Sequence, residues 1–145
     1  MDSYKKEIIV KSSPEKAYKA LITEEGLENW WTPTVEMEDH RITFRFGEKD
    51  YVVVQREREI ENKEVVWRVS EQYFKMQNID KTDEWVGTVM YWELSGEGLE
   101  TKISFTHEGL EPKLDCYLTC EKGWDYFLES LKSYLETGKG TPHSS

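Results

Sequence analysis

One histidine in this 145-residue chain stands where it could do chemistry. His107 falls on the apolar phase of an alternating segment, so its side chain should point inward. Because the reference pKa of histidine is near 6.5, an inward imidazole could orient a ligand or act as a base. The alternative is a hydrogen-bonded core residue. His40, at the start of a strand, and His143, in the tail, are poorer candidates.

Two cysteines, Cys116 and Cys120, are spaced i, i+4 on a predicted helix and therefore share one face. Two thiols could join a histidine around zinc, but the chain has no second cysteine pair and no His-x3-His spacing. A nucleophilic cysteine would need a lowered pKa and a base nearby. The third interpretation is small, polarisable core filler. We predict reduced thiols, no metal and no cofactor.

Aromatic residues make up 13% of the chain, and many fall on inward phases of predicted elements. Ligand pockets are mostly apolar with a few placed polar groups, so these residues could form a cavity wall. They could equally fill a packed core. The inward set is Phe44, Trp67, Trp92, Phe105, Tyr117, Trp124 and Phe127.

Two local features add to the aromatic pattern. Gly123 lies inside a predicted helix, where glycine costs about 1 kcal/mol relative to alanine. Either a close helix–sheet contact or a ligand beside Gly123 would explain it. Trp30 and Trp31 end a short helix, and we expect one to pack inward and the other to line a pocket mouth.

Composition and motifs exclude several function classes. The chain has no Walker P-loop, no Gly-x-Ser-x-Gly elbow, no His-Glu-x-x-His and no dinucleotide fingerprint. Its formal net charge of −10 disfavours nucleic acid and anionic membrane surfaces. No apolar run approaches the roughly 20 residues that span a bilayer, and no signal-peptide stretch is present. We therefore expect a cytoplasmic protein with no nucleic-acid partner and no membrane insertion.

The first third of the chain is predicted to form a strand over 4–11 and then two short helices. Ser13-Pro14 signals the first helix start, because serine caps a helix and proline suits its first position. Thr23-Glu24-Glu25 signals the second, with acids at the positive end of the helix dipole. Pro33 ends it.

The middle of the chain alternates with a period of two, which is typical of half-buried strands. Turns are expected at 61–63 and at 95–98, and residues 71–81 are predicted to be a loop. Val86, Met90, Trp92 and Leu94 should share the inward face of one strand with Thr88, and Leu99 should begin the inward face of the next. The predicted strands cover 41–46, 51–60, 64–70, 84–94 and 99–107.

Beyond Pro112 the apolar spacing becomes helical and continues to about Gly138, followed by a tail that we expect to be frayed. A sheet with one apolar face needs a cover, and this long helix is the only large candidate. The sequence predicts one α+β domain over 1–145, ordered over about 4–138. Its curved antiparallel sheet of six or seven strands grips the C-terminal helix.

Two segments resemble a known family. They are Ala20-Leu-Ile-Thr-Glu-Glu-Gly-Leu-Glu-Asn-Trp-Trp-Thr-Pro33 and Gly123-Trp-Asp-Tyr-Phe-Leu-Glu-Ser-Leu-Lys-Ser-Tyr-Leu-Glu-Thr-Gly138. Both resemble the Hsp90-ATPase-activator-homologue group of the START-like (SRPBCC) superfamily. The resemblance implies a helix-grip fold with a cavity under the C-terminal helix. Superfamily relatives bind lipids, sterols, hormones or polyketides, and a few catalyse cyclisation or hydrolysis.

We therefore predict a non-enzymatic protein that holds a small hydrophobic or aromatic ligand in that cavity. One alternative is a co-chaperone that contacts Hsp90, although the resemblance is to the C-terminal domain of the two-domain activator only. The other is a cyclase- or hydrolase-like enzyme in which His107, Thr101 and Tyr117 converge and His107 is the acid–base residue. Predicted ligand contacts are Trp31, Phe44, Trp67, Met90, Trp92, Phe105, His107, Tyr117, Trp124, Phe127 and Leu128.

Overall fold

The computed structural model describes residues 3–75, 81–110 and 117–143, with the side chains of Glu97 and residues 117–119 outside that description. Within these residues the chain forms seven strands and three helices. Their bounds are β1 Ser3–Val10, α1 Pro14–Ile22, α2 Glu24–Trp30, β2 Thr34–Met37, β3 Arg41–Phe46, β4 Asp50–Ile60, β5 Glu64–Tyr73, β6 Val89–Glu97, β7 Glu100–Glu108 and α3 Tyr117–Thr137.

The strands form one antiparallel sheet in the order β1-β7-β6-β5-β4-β3-β2. Register shifts between Val53 and Val54 and between Arg56 and Arg58 interrupt the β4–β5 pairing. Bulges of this kind bend a strand and increase its twist, which curves the sheet. Helix α1 contacts β5, β6 and β7, while α3 contacts β1 and both short helices. The predicted helix-grip architecture is confirmed.

Both predicted helix starts are confirmed by their caps. The Lys16 N–H donates to Ser13 Oγ at 3.3 Å, and the Gly26 N–H donates to Thr23 Oγ1 at 3.0 Å. Gly26 also lets the two short helices meet, because a Cβ there would lie 2.7 Å from Ala20 Cα. This close approach determines where α2 places the tryptophans at its end.

Helix side chains cover backbone groups at both edges of the sheet. At the β1 edge, Lys132 Nζ donates to the Ile9 carbonyl at 2.7 Å, and Glu136 accepts the Lys11 N–H at 2.8 Å. At the β2 edge, Glu24 accepts the Met37 N–H at 3.1 Å. Unpaired edge groups invite strand addition from another chain, so these contacts protect the sheet.

The predicted strand over 84–94 is wrong at its start, because β6 begins at Val89. Residues 84–87 form a turn in which Gly87 has φ +90°, a conformation that strand residues do not adopt. As a result Val86 is 47% exposed, and Trp85, predicted to face outward, is buried.

Three other element boundaries differ from the prediction. Strand β2 was not predicted, since only four residues follow Pro33 in extended form. Strand β5 continues to Tyr73 into the predicted loop, of which residues 76–80 lie outside the described part of the chain. The β6–β7 hairpin is confirmed, but Glu97 pairs with Glu100. Leu99 therefore lies in the turn and is 81% exposed rather than inward.

Candidate functional site

A cavity of about 200 Å³ lies between the first half of α3 and one end of the sheet. Helix α3 supplies one wall, and the ends of α2, β3 and β5, the start of β4, the turn at 84–87 and the tail supply the others. Most of the lining is aromatic. The lining residues are Trp31, Phe46, Asp50, Phe74, Trp85, Cys120, Gly123, Trp124, Phe127 and His143.

Gly123 faces this cavity from the middle of the helix wall. A Cβ built on Gly123 meets no atom of the described residues within 4 Å. The described residues therefore give no close helix–sheet contact at Gly123, which was one of its two explanations. Because Gly123 has no side chain, open volume remains beside α3. Glycine in a helix is less stable than alanine, so this open volume comes with a loss of helix stability.

Five aromatic lining residues contact one another in a closed ring. Trp31 lies 5.8 Å from Phe46 between ring centroids, and Phe46 lies 5.3 Å from Phe74. Phe74 lies 5.4 Å from Trp85, and Trp85 stacks on Trp124 at 5.7 Å. Trp124 closes the ring against Trp31 at 5.2 Å. Such pairs stabilise one another beyond their buried area, so the wall is held in one arrangement.

Hydrogen bonds fix Trp85 in that ring. Its indole N–H donates to Cys120 Sγ at 3.3 Å, and its backbone N–H donates to Gln72 Oε1 at 2.8 Å. The Cys120 side chain is buried, and Cys116 lies outside the described residues, so the reduced state of the two thiols stays a prediction. No group of three or more metal-ligating side chains occurs in the described part of the chain.

Asp50 contributes the one carboxylate among the described residues of the lining. It lies at the start of β4 and is half-buried. Its Oδ1 accepts the backbone N–H of Lys75 at 3.2 Å. No lysine or arginine side chain is among the described residues that line the cavity, so Asp50 places a negative charge beside an otherwise apolar space.

His107 is buried in a chain of hydrogen bonds next to the cavity. The Trp124 indole N–H donates to His107 Nδ1 at 3.0 Å, so the proton of the neutral imidazole lies on Nε2. Nε2 then donates to Thr88 Oγ1 at 2.8 Å, and that hydroxyl donates to the Trp85 carbonyl at 2.6 Å. Burial lowers the pKa of His107 to about 3, which keeps the ring neutral.

These bonds leave His107 no free nitrogen, and its side chain is not part of the cavity lining. Thr101 lies six residues earlier on the same strand, about 20 Å away at strand spacing, and donates to the Ser12 carbonyl. The Tyr117 side chain is outside the described set. The structure therefore does not bring His107 and Thr101 together into the predicted acid–base cluster.

The predicted ligand contacts divide into two groups. Trp31, Trp124 and Phe127 line the cavity. The others among the described side chains are fully buried and do not line it, so they fill the space between sheet and helix as core. This second group is Phe44, Trp67, Met90, Trp92, Phe105, His107 and Leu128. Contact with a ligand stays a prediction for all of them.

Sequence reasoning missed several lining residues. Phe46 could have been predicted from the sequence, since it continues the inward alternation of Phe44 on β3. Trp85 was assigned to the outward face of a strand that the turn replaces. Asp50, Phe74 and His143 carry no local signal, because each lies at an element end or beyond one.

His143 reaches the cavity because the tail, predicted to be frayed, packs back on α2 and α3. Ser130 Oγ donates to the Trp30 carbonyl at 2.7 Å and accepts the Thr141 N–H at 2.7 Å. The His143 N–H donates to the Trp31 carbonyl at 2.7 Å. Position 140 of this packed tail requires glycine, because a Cβ there would lie 2.4 Å from the Asn29 carbonyl oxygen.

Comparison with solved structures supports the fold over nearly the whole chain. The Aha1 dimer from Colwellia psychrerythraea, solved in solution, is 33% identical, with a TM-score of 0.78 over 97% of this chain and 100% of that one. SSP2350 from Staphylococcus saprophyticus is 19% identical, with a TM-score of 0.74 over 97% and 96%. MLL2253 from Mesorhizobium loti is 19% identical, with a TM-score of 0.74 over 92% and 96%.

No curated protein matches the sequence significantly. None of the described helices is long and apolar enough to cross a membrane.

The sequence matches the family described as "Activator of Hsp90 ATPase homolog 1-like protein" over residues 11–136, which is most of its length. Together with the 33% identity to the Colwellia protein, this match shows that the chain belongs to the Activator of Hsp90 ATPase homolog 1-like family.

Proposed function

We propose that this protein binds a small, largely apolar ligand in the cavity beneath α3. The observation that carries the proposal is Gly123, a helical glycine whose missing side chain leaves open space next to an aromatic wall. Glycine at that position lowers helix stability, and no neighbour in the described part of the chain requires it. Binding at the vacant volume supplies a reason for a residue that packing does not explain.

The size of the cavity restricts the ligand class. Its volume of about 200 Å³ is below the roughly 300–1,000 Å³ of most drug-sized ligand pockets. An apolar cavity of about 150 Å³ already holds benzene. The proposed ligand is therefore a group the size of one ring, or one such end of a larger molecule, rather than a whole sterol.

Substitution of Gly123 separates binding from stability. In Gly123→Leu the side chain occupies the cavity, and we expect at least a tenfold loss of affinity for benzyl alcohol, a soluble probe of ring size. Gly123→Ala is the matched control: it adds one methyl group and should raise the free energy of unfolding by about 1 kcal/mol while binding persists. The indole N–H signals of Trp85 and Trp124, followed by NMR during titration, report occupancy.

Equal benzyl alcohol affinity in wild type and Gly123→Leu would contradict the proposal, because the probe would then bind elsewhere. Absence of any shift of the two indole signals in the wild type would contradict it as well. A chemical-denaturation curve for each variant establishes that the folded protein is being compared.

The family match favours a second candidate function, contact with Hsp90. The family name refers to activation of the Hsp90 ATPase, and the Colwellia relative is an Aha1 protein. This function predicts that the chain raises the ATPase rate of an Hsp90 from the same organism in a concentration-dependent way. An unchanged rate at saturating concentration would remove it and would leave the ligand-binding proposal intact.

A further inference from the structure

We propose that the group held in this cavity is an organic cation of the quaternary-ammonium type. The inference rests on the proposed ligand-binding function and narrows its ligand class. Three observations carry it: the closed ring of aromatic side chains, the carboxylate of Asp50 in the lining, and the absence of lysine and arginine among the described lining residues.

The aromatic ring has the dimensions of a cation site. Its neighbouring centroids are separated by 5.2 to 5.8 Å, so a group at its centre lies within about 6 Å of the members. Over that distance a cation is attracted to the electron-rich faces of tryptophan and phenylalanine. Phe46 and Phe74 are nearly perpendicular, at 89°, so the aromatic planes of the wall are not all parallel. A tetrahedral trimethylammonium group can contact several such faces at once.

Asp50 makes the site selective for positive charge. A neutral ring would fit the apolar walls but would gain nothing from a neighbouring carboxylate, and an anion would be repelled by it. The carboxylate oxygen Oδ1 is held by the Lys75 N–H at 3.2 Å, which keeps the charge beside the cavity. The chain's formal net charge of −10 also favours the approach of cations over anions.

The shape of the lining favours a methylated cation over a primary amine. A primary ammonium carries three N–H donors, each of which needs an acceptor when it leaves water. Apart from Asp50 and His143, the described lining residues have aromatic or sulfur-containing side chains, or none, as at Gly123. A quaternary ammonium has no N–H to satisfy and is therefore suited to aromatic walls with one carboxylate beside them.

Choline and its neutral carbon isostere, 3,3-dimethylbutan-1-ol, test the inference directly. They have nearly the same shape and differ in charge, so their affinities isolate the electrostatic contribution. In the wild type we expect choline to bind about tenfold more tightly than the isostere, measured by NMR titration of the Trp85 and Trp124 indole signals. Asp50→Asn keeps an oxygen for the Lys75 N–H, and should weaken choline binding about fivefold while leaving the isostere within twofold.

The outcomes separate this inference from the proposed function. Equal affinities for choline and the isostere, or a choline affinity unchanged in Asp50→Asn, would overturn the cation assignment while ligand binding stands. The same conclusion follows if benzyl alcohol shifts the indole signals and choline does not. If no probe binds, or if Gly123→Leu leaves every affinity unchanged, both proposals fail.

Discussion

Trp92→Leu should lower the free energy of unfolding by about 3 kcal/mol without weakening ligand binding. Trp92 is fully buried and does not line the cavity. Its ring contacts Trp67 at 5.6 Å and Phe105 at 4.2 Å between centroids. Replacing a buried tryptophan by a small residue costs about 3–5 kcal/mol, and leucine retains part of that packing. Chemical denaturation measures the loss, and benzyl alcohol titration of the folded variant measures binding.

Phe127→Leu is the matched control, since Phe127 lines the cavity and is half-buried. We expect it to lose about 1 kcal/mol of stability or less and to weaken benzyl alcohol binding several-fold. Trp92 was predicted from sequence as a ligand contact. If Trp92→Leu weakened binding at nearly unchanged stability, it would place Trp92 in the site and contradict its assignment to the core.

His107 should make the folded protein sensitive to acid. In the unfolded chain a histidine has a pKa near 6.5, whereas burial lowers the pKa of His107 to about 3 in the folded state. Between these values the unfolded state binds a proton that the folded state does not, so stability is present above pH 6.5 and is lost as the pH falls. The expected slope is about 1.4 kcal/mol per pH unit over that window.

Two substitutions isolate this contribution from the carboxylates, which titrate in every variant. His107→Leu removes the titrating group and leaves the Trp124 indole N–H without its acceptor, so it should cost about 1–3 kcal/mol at pH 7 and flatten the acid slope. His107→Gln can accept from Trp124 and donate to Thr88, and should flatten the slope at a smaller cost. Urea denaturation at several pH values between 4 and 7 measures both quantities. Parallel curves for wild type and variants would contradict the prediction.

Much of the fold could be predicted from the sequence because its signals are local. Ser13 and Thr23 cap helices with their own side chains, and alternation along β7 places Thr101, Ile103, Phe105 and His107 inward. Predictions failed where one backbone conformation overrides such a pattern. Gly87, with φ +90°, ends the expected alternation and turns Trp85 into the core.

The candidate site was less accessible to sequence reasoning. Trp124 and Phe127 were predicted from the spacing of α3, yet the same spacing also selects Leu128, which is core. An inward position in the apolar pattern predicts that a side chain is buried. It does not predict whether that side chain contacts another side chain or borders an empty volume. That distinction depends on the residual space between α3 and the sheet.

Local sequence signals were enough to predict the order of the elements other than β2, the helix-grip architecture, the family resemblance, and most inward positions of the strands and of α3, with Val86 and Leu99 as exceptions. All of these depend on residues near one another in the chain. The folded arrangement was needed to show which inward aromatics form a cavity wall, that Gly123 borders open space among the described residues, and that His143 returns to the site. Each of these depends on distances between segments far apart in sequence, such as the Trp31 carbonyl that accepts the His143 N–H.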